Sequence, residues 1–314
     1  MSDLLATRDT EVGGGAHGEP AACRAPRETG AGLSLLSAVV LLVALAGSAC
    51  TGVEADAERS GLAPNIVILF ADDLGYGDLG SYGHPAIRTP QLDRLAADGQ
   101  RWTDFYVAAP VCSPSRGALL TGRLPVRTGV YGRRLPVYFE NDPGGLPEAE
   151  LTLAEALSSV GYRTAMVGKW HLGDRPEAWP TRHGFERWLG VPYSNDMDWE
   201  VGYDFTGMLR AYSEQRFADL VADGEKKWQA YLEPRSEYWS VPLLRSETTE
   251  SGYDDATVER PMRQETITRR FTEEAIGFLR RQADREPERP FFLYLAYTMP
   301  HIPLFRSEEL TGRS

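Results

Sequence analysis

Cys112 stands in the run Cys112-Ser113-Pro114-Ser115-Arg116, a thiol four residues before a guanidinium whose charge titration does not remove. Only Cys23 and Cys50 accompany it in the chain, and both lie in or before an apolar segment near the start. Cys112 therefore has no disulfide partner in the domain that follows, and it is either a small core residue or a chemically special one. Asp72 and Asp73 place two carboxylates side by side after a buried apolar run. Adjacent like charges raise each other's pKa unless a cation neutralises them, and oxygen ligands favour a hard ion such as Ca²⁺ or Mg²⁺. A solvated Asp-Gly turn is the plainer reading of the same residues. Lys169 and His171 are two apart, so an extended backbone would point both the same way. His301 follows another apolar run.

The elements that must position these groups can be read from the hydrophobic pattern. Asn65–Phe70 is a short unbroken apolar run, predicted as a strand buried on both faces. Thr89-Pro90 opens a helix that Gly99 closes, and 101–107 reads as another strand. A helix is predicted over 115–120, ending at Thr121-Gly122. Thr152 and Glu155 form a capping box for a helix that ends at Gly161. Strands follow at 162–167 and 291–297, with an amphipathic helix at 269–281 between them. This alternation predicts an α/β fold with a largely parallel sheet covered on both faces. Asp72, Cys112, Lys169, His171 and His301 each follow a predicted strand, where open α/β sheets place ligand sites. Residues 195–262 are acidic, aromatic and weakly periodic, and read as an insertion or a substrate-cleft region.

Composition narrows the partners. Formal net charge is −12 and no Lys/Arg block stands out, which argues against nucleic acid as a partner. Residues 33–46 are almost continuously apolar, about 14 residues, which suits a signal-peptide core better than a membrane span of roughly 20. The preceding stretch carries Arg8, Arg24 and Arg27 against five acids, where a signal peptide should be basic. Residues 1–60 are read as a leader with linker and 61–314 as the domain. Export to the periplasm or cell envelope is expected, with membrane attachment through a lipid anchor at Cys50 as a further reading.

The stretch Cys112-Ser113-Pro114-Ser115-Arg116, followed by Leu120-Thr121-Gly122-Arg123, resembles the signature of the type I sulfatases. Further likenesses to that family are Ala71-Asp72-Asp73-Leu74-Gly75-Tyr76-Gly77-Asp78, Gly168-Lys169-Trp170-His171-Leu172-Gly173 and Pro290 to Pro303. Gly190 to Asp196 is similar to a segment of arylsulfatase A relatives. The resemblance implies an alkaline-phosphatase-like sandwich, here its N-terminal part. It implies hydrolysis of aryl or carbohydrate sulfate esters by a formylglycine that a dedicated maturation enzyme, the formylglycine-generating enzyme, makes from Cys112. It implies calcium bound by Asp72, Asp73 and the modified Cys112. Arg116 would hold the formylglycine, Lys169, His301 and Ser194 would bind sulfate oxygens, and His171 would hydrogen-bond the hydrated aldehyde. His84 and His183 match family segments that carry loop geometry or packing.

The family pattern continues to a Ser-Asp-Asn-Gly-like run with two more calcium ligands and then a sulfate-binding Lys. Neither occurs in these 314 residues. The expectation is therefore a C-terminally incomplete catalytic domain with impaired activity. A phosphodiesterase or phosphonate monoester hydrolase of the same superfold is the alternative among enzymes. A non-catalytic relative that binds sulfated glycans is the alternative outside them.

Overall fold

The structure is a computed structural model and describes residues 63–131, 136–200, 214, 224–225 and 228–310. The expected leader, with its apolar run and Cys50, lies outside the described residues, as does much of 201–227. The strands are β1 (Ile66–Phe70), β2 (Arg163–Lys169), β3 (Arg187–Val191), β4 (Leu243–Thr249), β5 (Gly252–Glu259) and β6 (Phe291–Ala296). They form one sheet in the order β1-β6-β2-β3-β4-β5. Pairing is parallel from β1 through β3 and antiparallel from β3 through β5. The sheet is thus mixed, with the predicted parallel part at the end that carries the reactive residues.

Five helices are labelled: α1 (Pro90–Asp98), α2 (Cys112–Thr121), α3 (Pro125–Thr128), α4 (Leu153–Ser159) and α5 (Gln264–Arg285). The helix ends are explained by local chemistry. Thr152 Oγ1 accepts from Glu155 N, and Glu155 Oε2 accepts from Thr152 N, completing the predicted capping box of α4. Gly122 ends α2 in the left-handed conformation at φ 65°. In α5 the buried residues are Gln264, Ile267, Phe271, Ala275, Phe278 and Gln282, spaced by three and four along one face.

Two apolar clusters cover the two faces of the sheet. Along β6, Phe292, Tyr294 and Ala296 join one cluster with Leu120 of α2 and Ala154 of α4, whereas Leu293 and Leu295 join the other with Phe271 and Phe278 of α5. That alternation is the period of two that a strand imposes.

Two expectations are corrected. β1 is not buried on both faces: it is the edge strand, and Val67 and Leu69 are 45% and 55% exposed. Ile66, Ile68 and Phe70 pack on one apolar cluster, but α5, which covers the opposite face, packs on β2, β6 and β3. Residues 101–107 are not a strand. Tyrosine hydroxyls take the place of a neighbouring strand there: Tyr76 Oη donates to Phe105 O and accepts from Phe105 N, and Tyr82 Oη donates to Trp102 O. The region 195–262 contributes the β4–β5 hairpin to the sheet. β3 was not foreseen as a strand. Among the described residues, no helix is long and apolar enough to cross a membrane.

Candidate active site

Cys112 is the first residue of α2, which its own sequence places by an extended Val111 before it and the αL Gly122 behind it. Its sulfur, the free thiol, is partly buried. Asp72 arrives on the turn after β1, which is tied to the loop after β6 by Asp72 N donating to Met299 O at 3.2 Å. Lys169 is the last residue of β2. Gly168 precedes it at φ 111°, and a Cβ there would meet Ala296 O at 1.8 Å. Only glycine lets β2 pass this close to β6 and deliver Lys169.

These strand ends converge. Lys169 Nζ donates to Asp72 Oδ2 at 2.6 Å and to Ser194 Oγ at 3.0 Å, and lies 3.5 Å from Cys112 Sγ. Arg116 Nη2 donates to Asp72 Oδ1 at 3.0 Å and Nη1 to Lys169 O at 2.7 Å. Asp72, Arg116, Lys169, His171 and Ser194 are all buried. Burial alone would raise the Asp72 carboxyl, yet Lys169 and Arg116 outweigh it and hold it far below the usual carboxylate range. Two fixed cations against one carboxylate leave this buried cluster with one surplus positive charge.

His171 reaches the cluster by a different route from the expected extended backbone, because its φ is 60°. Its ring is held by Nε2–H donating to Tyr138 O at 2.8 Å, and Nδ1 is buried with no partner among the described residues. Burial, then Lys169 and Arg116, push its pKa well below 6.5. The imidazole is therefore neutral, with a tautomer that leaves the Nδ1 lone pair free. His301 sits on the loop after β6. Burial lowers its pKa, but the neighbouring Cys112, Asp196 and Asp72 outweigh that and raise it. Its Nε2 is 3.6 Å from Asp73 Oδ2.

Each foreseen residue is thus placed. Asp72, Cys112, Arg116, Lys169, His171, Ser194 and His301 lie in one cluster. Asp73 stands at its outer edge, with an exposed side chain at φ 63°. Arg116 is engaged with Asp72 and the Lys169 carbonyl. His84 accepts from Ala86 N and Ile87 N within its own loop, and His183 stacks on Trp170 at 5.7 Å. The Tyr138 carbonyl that orients His171 carried no sequence signal, since a main-chain oxygen is the same in every residue. A cleft of about 710 Å³ opens beside Cys112, lined by Phe70, Asp72, Tyr82, Trp102, Phe105 and Arg116.

Asp72, Cys112 and His301 offer ligand atoms all within 4.8 Å of one another. That set mixes oxygen, sulfur and nitrogen, whereas calcium takes about six to eight oxygens. Both Asp72 oxygens already accept from cations. The described residues do not fit a complete calcium shell.

A family model described as Sulfatase matches residues 64–314. Arylsulfatase A of Bos taurus is 61% identical over 136 residues, covering 42% of this chain and 26% of that protein. Steryl-sulfatase of Rattus norvegicus is 36% identical over 291 residues, covering 82% of this chain and 49% of that protein. N-acetylgalactosamine-6-sulfatase of the same species is 36% identical over 256 residues, covering 80% and 42%. The solved structure of the PsFucS1 sulfatase from Pseudoalteromonas sp. is similar with a TM-score of 0.59 at 29% identity, over 87% of this chain and 50% of that one. That of Ps i-CgsB in complex with k-i-k-neocarrahexaose gives 0.54 at 31% identity, over 76% and 46%. The chain spans about half or less of the length of the curated relatives it matches. The mostly parallel sheet flanked by helices is the alkaline-phosphatase-like architecture of these sulfatases.

Proposed function

The chain belongs to the sulfatase family, and from that premise we propose that its site hydrolyses sulfate esters through a formylglycine made from Cys112. The observation that carries this reading is the placement of Lys169 Nζ, 3.5 Å from Cys112 Sγ and 3.0 Å from Ser194 Oγ. A sulfuryl oxygen held by Lys169 and Ser194 would bring sulfur next to the side chain at position 112. Cys112 Sγ stands in for the oxygen of the modified residue, which supplies a hydrated aldehyde as an oxygen nucleophile.

The chain's own groups account for the rest. Lys169 is a buried cation against the sulfuryl oxygens, and Arg116 locks Asp72 and the Lys169 main chain so that the cation does not move as charge develops. His171, neutral and with Nδ1 free, can accept a proton from a hydroxyl at position 112. His301, with its raised pKa, can carry a proton to the leaving alcohol or phenol. Ser113, Pro114 and Arg116 of the signature are buried in the fold, so the maturation enzyme has to read the segment before the domain closes around it.

Calcium is the proposed cation, with Asp72 and Asp73 supplying carboxylate oxygens. Its remaining oxygen donors have to come from outside the described residues. Export, with the apolar run at 33–46 as its signal and Cys50 as a lipid attachment point, belongs to the same proposal. Sulfated glycans or aryl sulfates are the substrate class, on the strength of what the similar proteins are called. Comparing turnover of 4-nitrophenyl sulfate and 4-nitrophenyl phosphate, after expression with the maturation enzyme, tests the reading. A sulfate rate exceeding the phosphate rate, abolished in Cys112→Ala, is expected; preference for the phosphate would overturn it.

A further inference from the structure

Ser194 lies on a segment without regular structure after β3, yet its hydroxyl must be fixed to hold Lys169. The neighbouring Asn195 is fully buried, and so is Gln264, the first residue of α5. Their amides pair reciprocally. Asn195 Nδ2 donates to Gln264 Oε1 at 3.1 Å, and Gln264 Nε2 donates back to the main-chain Asn195 O at 3.0 Å. Gln264 is itself anchored, because its backbone N–H, one of the helix's otherwise unpaired first donors, goes to Ser236 Oγ at 2.8 Å. Ser236 in turn donates to Glu265 Oε2 at 2.9 Å.

The arrangement costs more than packing requires. A buried amide left without its partner is destabilising, whereas two apolar side chains of similar shape would fill the space without that hazard. What the amide pair supplies and an apolar pair does not is direction: two antiparallel hydrogen bonds fix both the Asn195 side chain and its carbonyl. The carbonyl belongs to the residue directly after Ser194. The chain of contacts runs from the α5 start through Gln264 and Asn195 to Ser194 Oγ and on to Lys169 Nζ.

We propose that Gln264 is a positioning residue for the sulfate-binding group. Through its reciprocal amide pair with Asn195 it sets Ser194 against Lys169, and so links the start of α5 to the site. This deepens the sulfate-ester reading and rests on it. Neither residue touches the reacting atoms, and the role is one of holding.

The test uses the full chain and inorganic sulfate, with calorimetric binding as the readout in place of turnover. Gln264→Met keeps the length of the side chain and removes both hydrogen bonds. It is expected to weaken sulfate binding by about tenfold or more. Ser194→Ala should weaken binding as well, and the double variant should be no weaker than Ser194→Ala alone, because both act through the same hydroxyl. Losses that multiply in the double variant, or an unchanged Gln264→Met, would overturn the proposal. If Gln264→Met does not fold, Gln264→Glu, which still accepts from Asn195 Nδ2, reads the same coupling with a smaller loss. Crystal structures of wild type and variant give a readout independent of sulfate: the Ser194–Lys169 contact should be lost in the variant, and its survival contradicts the proposal. A wild-type chain that binds sulfate but hydrolyses no ester contradicts the proposed reaction and leaves the amide pair's role standing.

Discussion

At Lys169, one ammonium group has three neighbours that no isolated lysine would hold at once: a carboxylate, a hydroxyl and a thiol. Asp72 stays ionised in spite of its burial because Lys169 and Arg116 flank it. His171 is the counterpart, kept neutral by burial and by the same two cations, with Asp72 pulling weakly the other way. The unfolded chain takes up a proton at this position near pH 6.5, whereas the folded chain does so only at much lower pH. The folded state is therefore fully stable with respect to this group above about pH 6.5 and loses stability as pH falls below it. Denaturant unfolding of wild type and His171→Gln should show this as a difference that grows on acidification, at up to about 1.4 kcal/mol per pH unit. Parallel pH profiles for the two proteins would mean that folding does not lower the titration of His171.

At the scale of elements, β2 is the strand on which the site depends, and its delivery of Lys169 turns on Gly168. Gly168→Ala adds a Cβ to a left-handed φ of 111°, in a position 1.8 Å from Ala296 O. The strands must part, so a fall in melting temperature and a loss of sulfate binding are expected together, measured by thermal scan and calorimetry. A variant that binds sulfate like wild type would show that β6 can yield without moving Lys169. β2, β6 and α4 were legible in the sequence because unbroken apolar runs and a capping box each have one plain structural reading. β3 and the β4–β5 hairpin were not. β3 is five residues interrupted by Gly190, and β5 is mostly exposed along its length, which erases the hydrophobic alternation. The opposite error came at 101–107, where strand-forming residues are held by tyrosine hydroxyls on the surface. Asp72, Lys169 and His301 were visible because their types stand out after apolar runs that are strands, whereas Cys112, which follows no strand, stood out through its signature motif. Gln264 and the Tyr138 carbonyl were hidden because a polar residue at a helix start and a main-chain oxygen look ordinary in a sequence.

Among the described residues, the sheet is covered on both faces at β2, β3 and β6 but leaves β1 as an edge with Val67 and Leu69 exposed. Trp102, Phe105 and Tyr106 add exposed apolar surface on the same side as the cleft beside Cys112. A flat apolar edge strand without charges is a template for self-association. The pair Val67→Lys and Leu69→Lys should reduce concentration-dependent association, measured by light scattering, without altering the far-ultraviolet spectrum. Equal association in wild type and variant would locate the sticky surface elsewhere. On the proposed reading, this architecture serves to bring one side chain, at position 112, to 3.5 Å from Lys169 Nζ. The most direct test of that purpose is mass spectrometry of the Cys112 peptide from chain expressed together with the maturation enzyme. Conversion of the thiol to the aldehyde is predicted, and a peptide that carries only unmodified cysteine would contradict it.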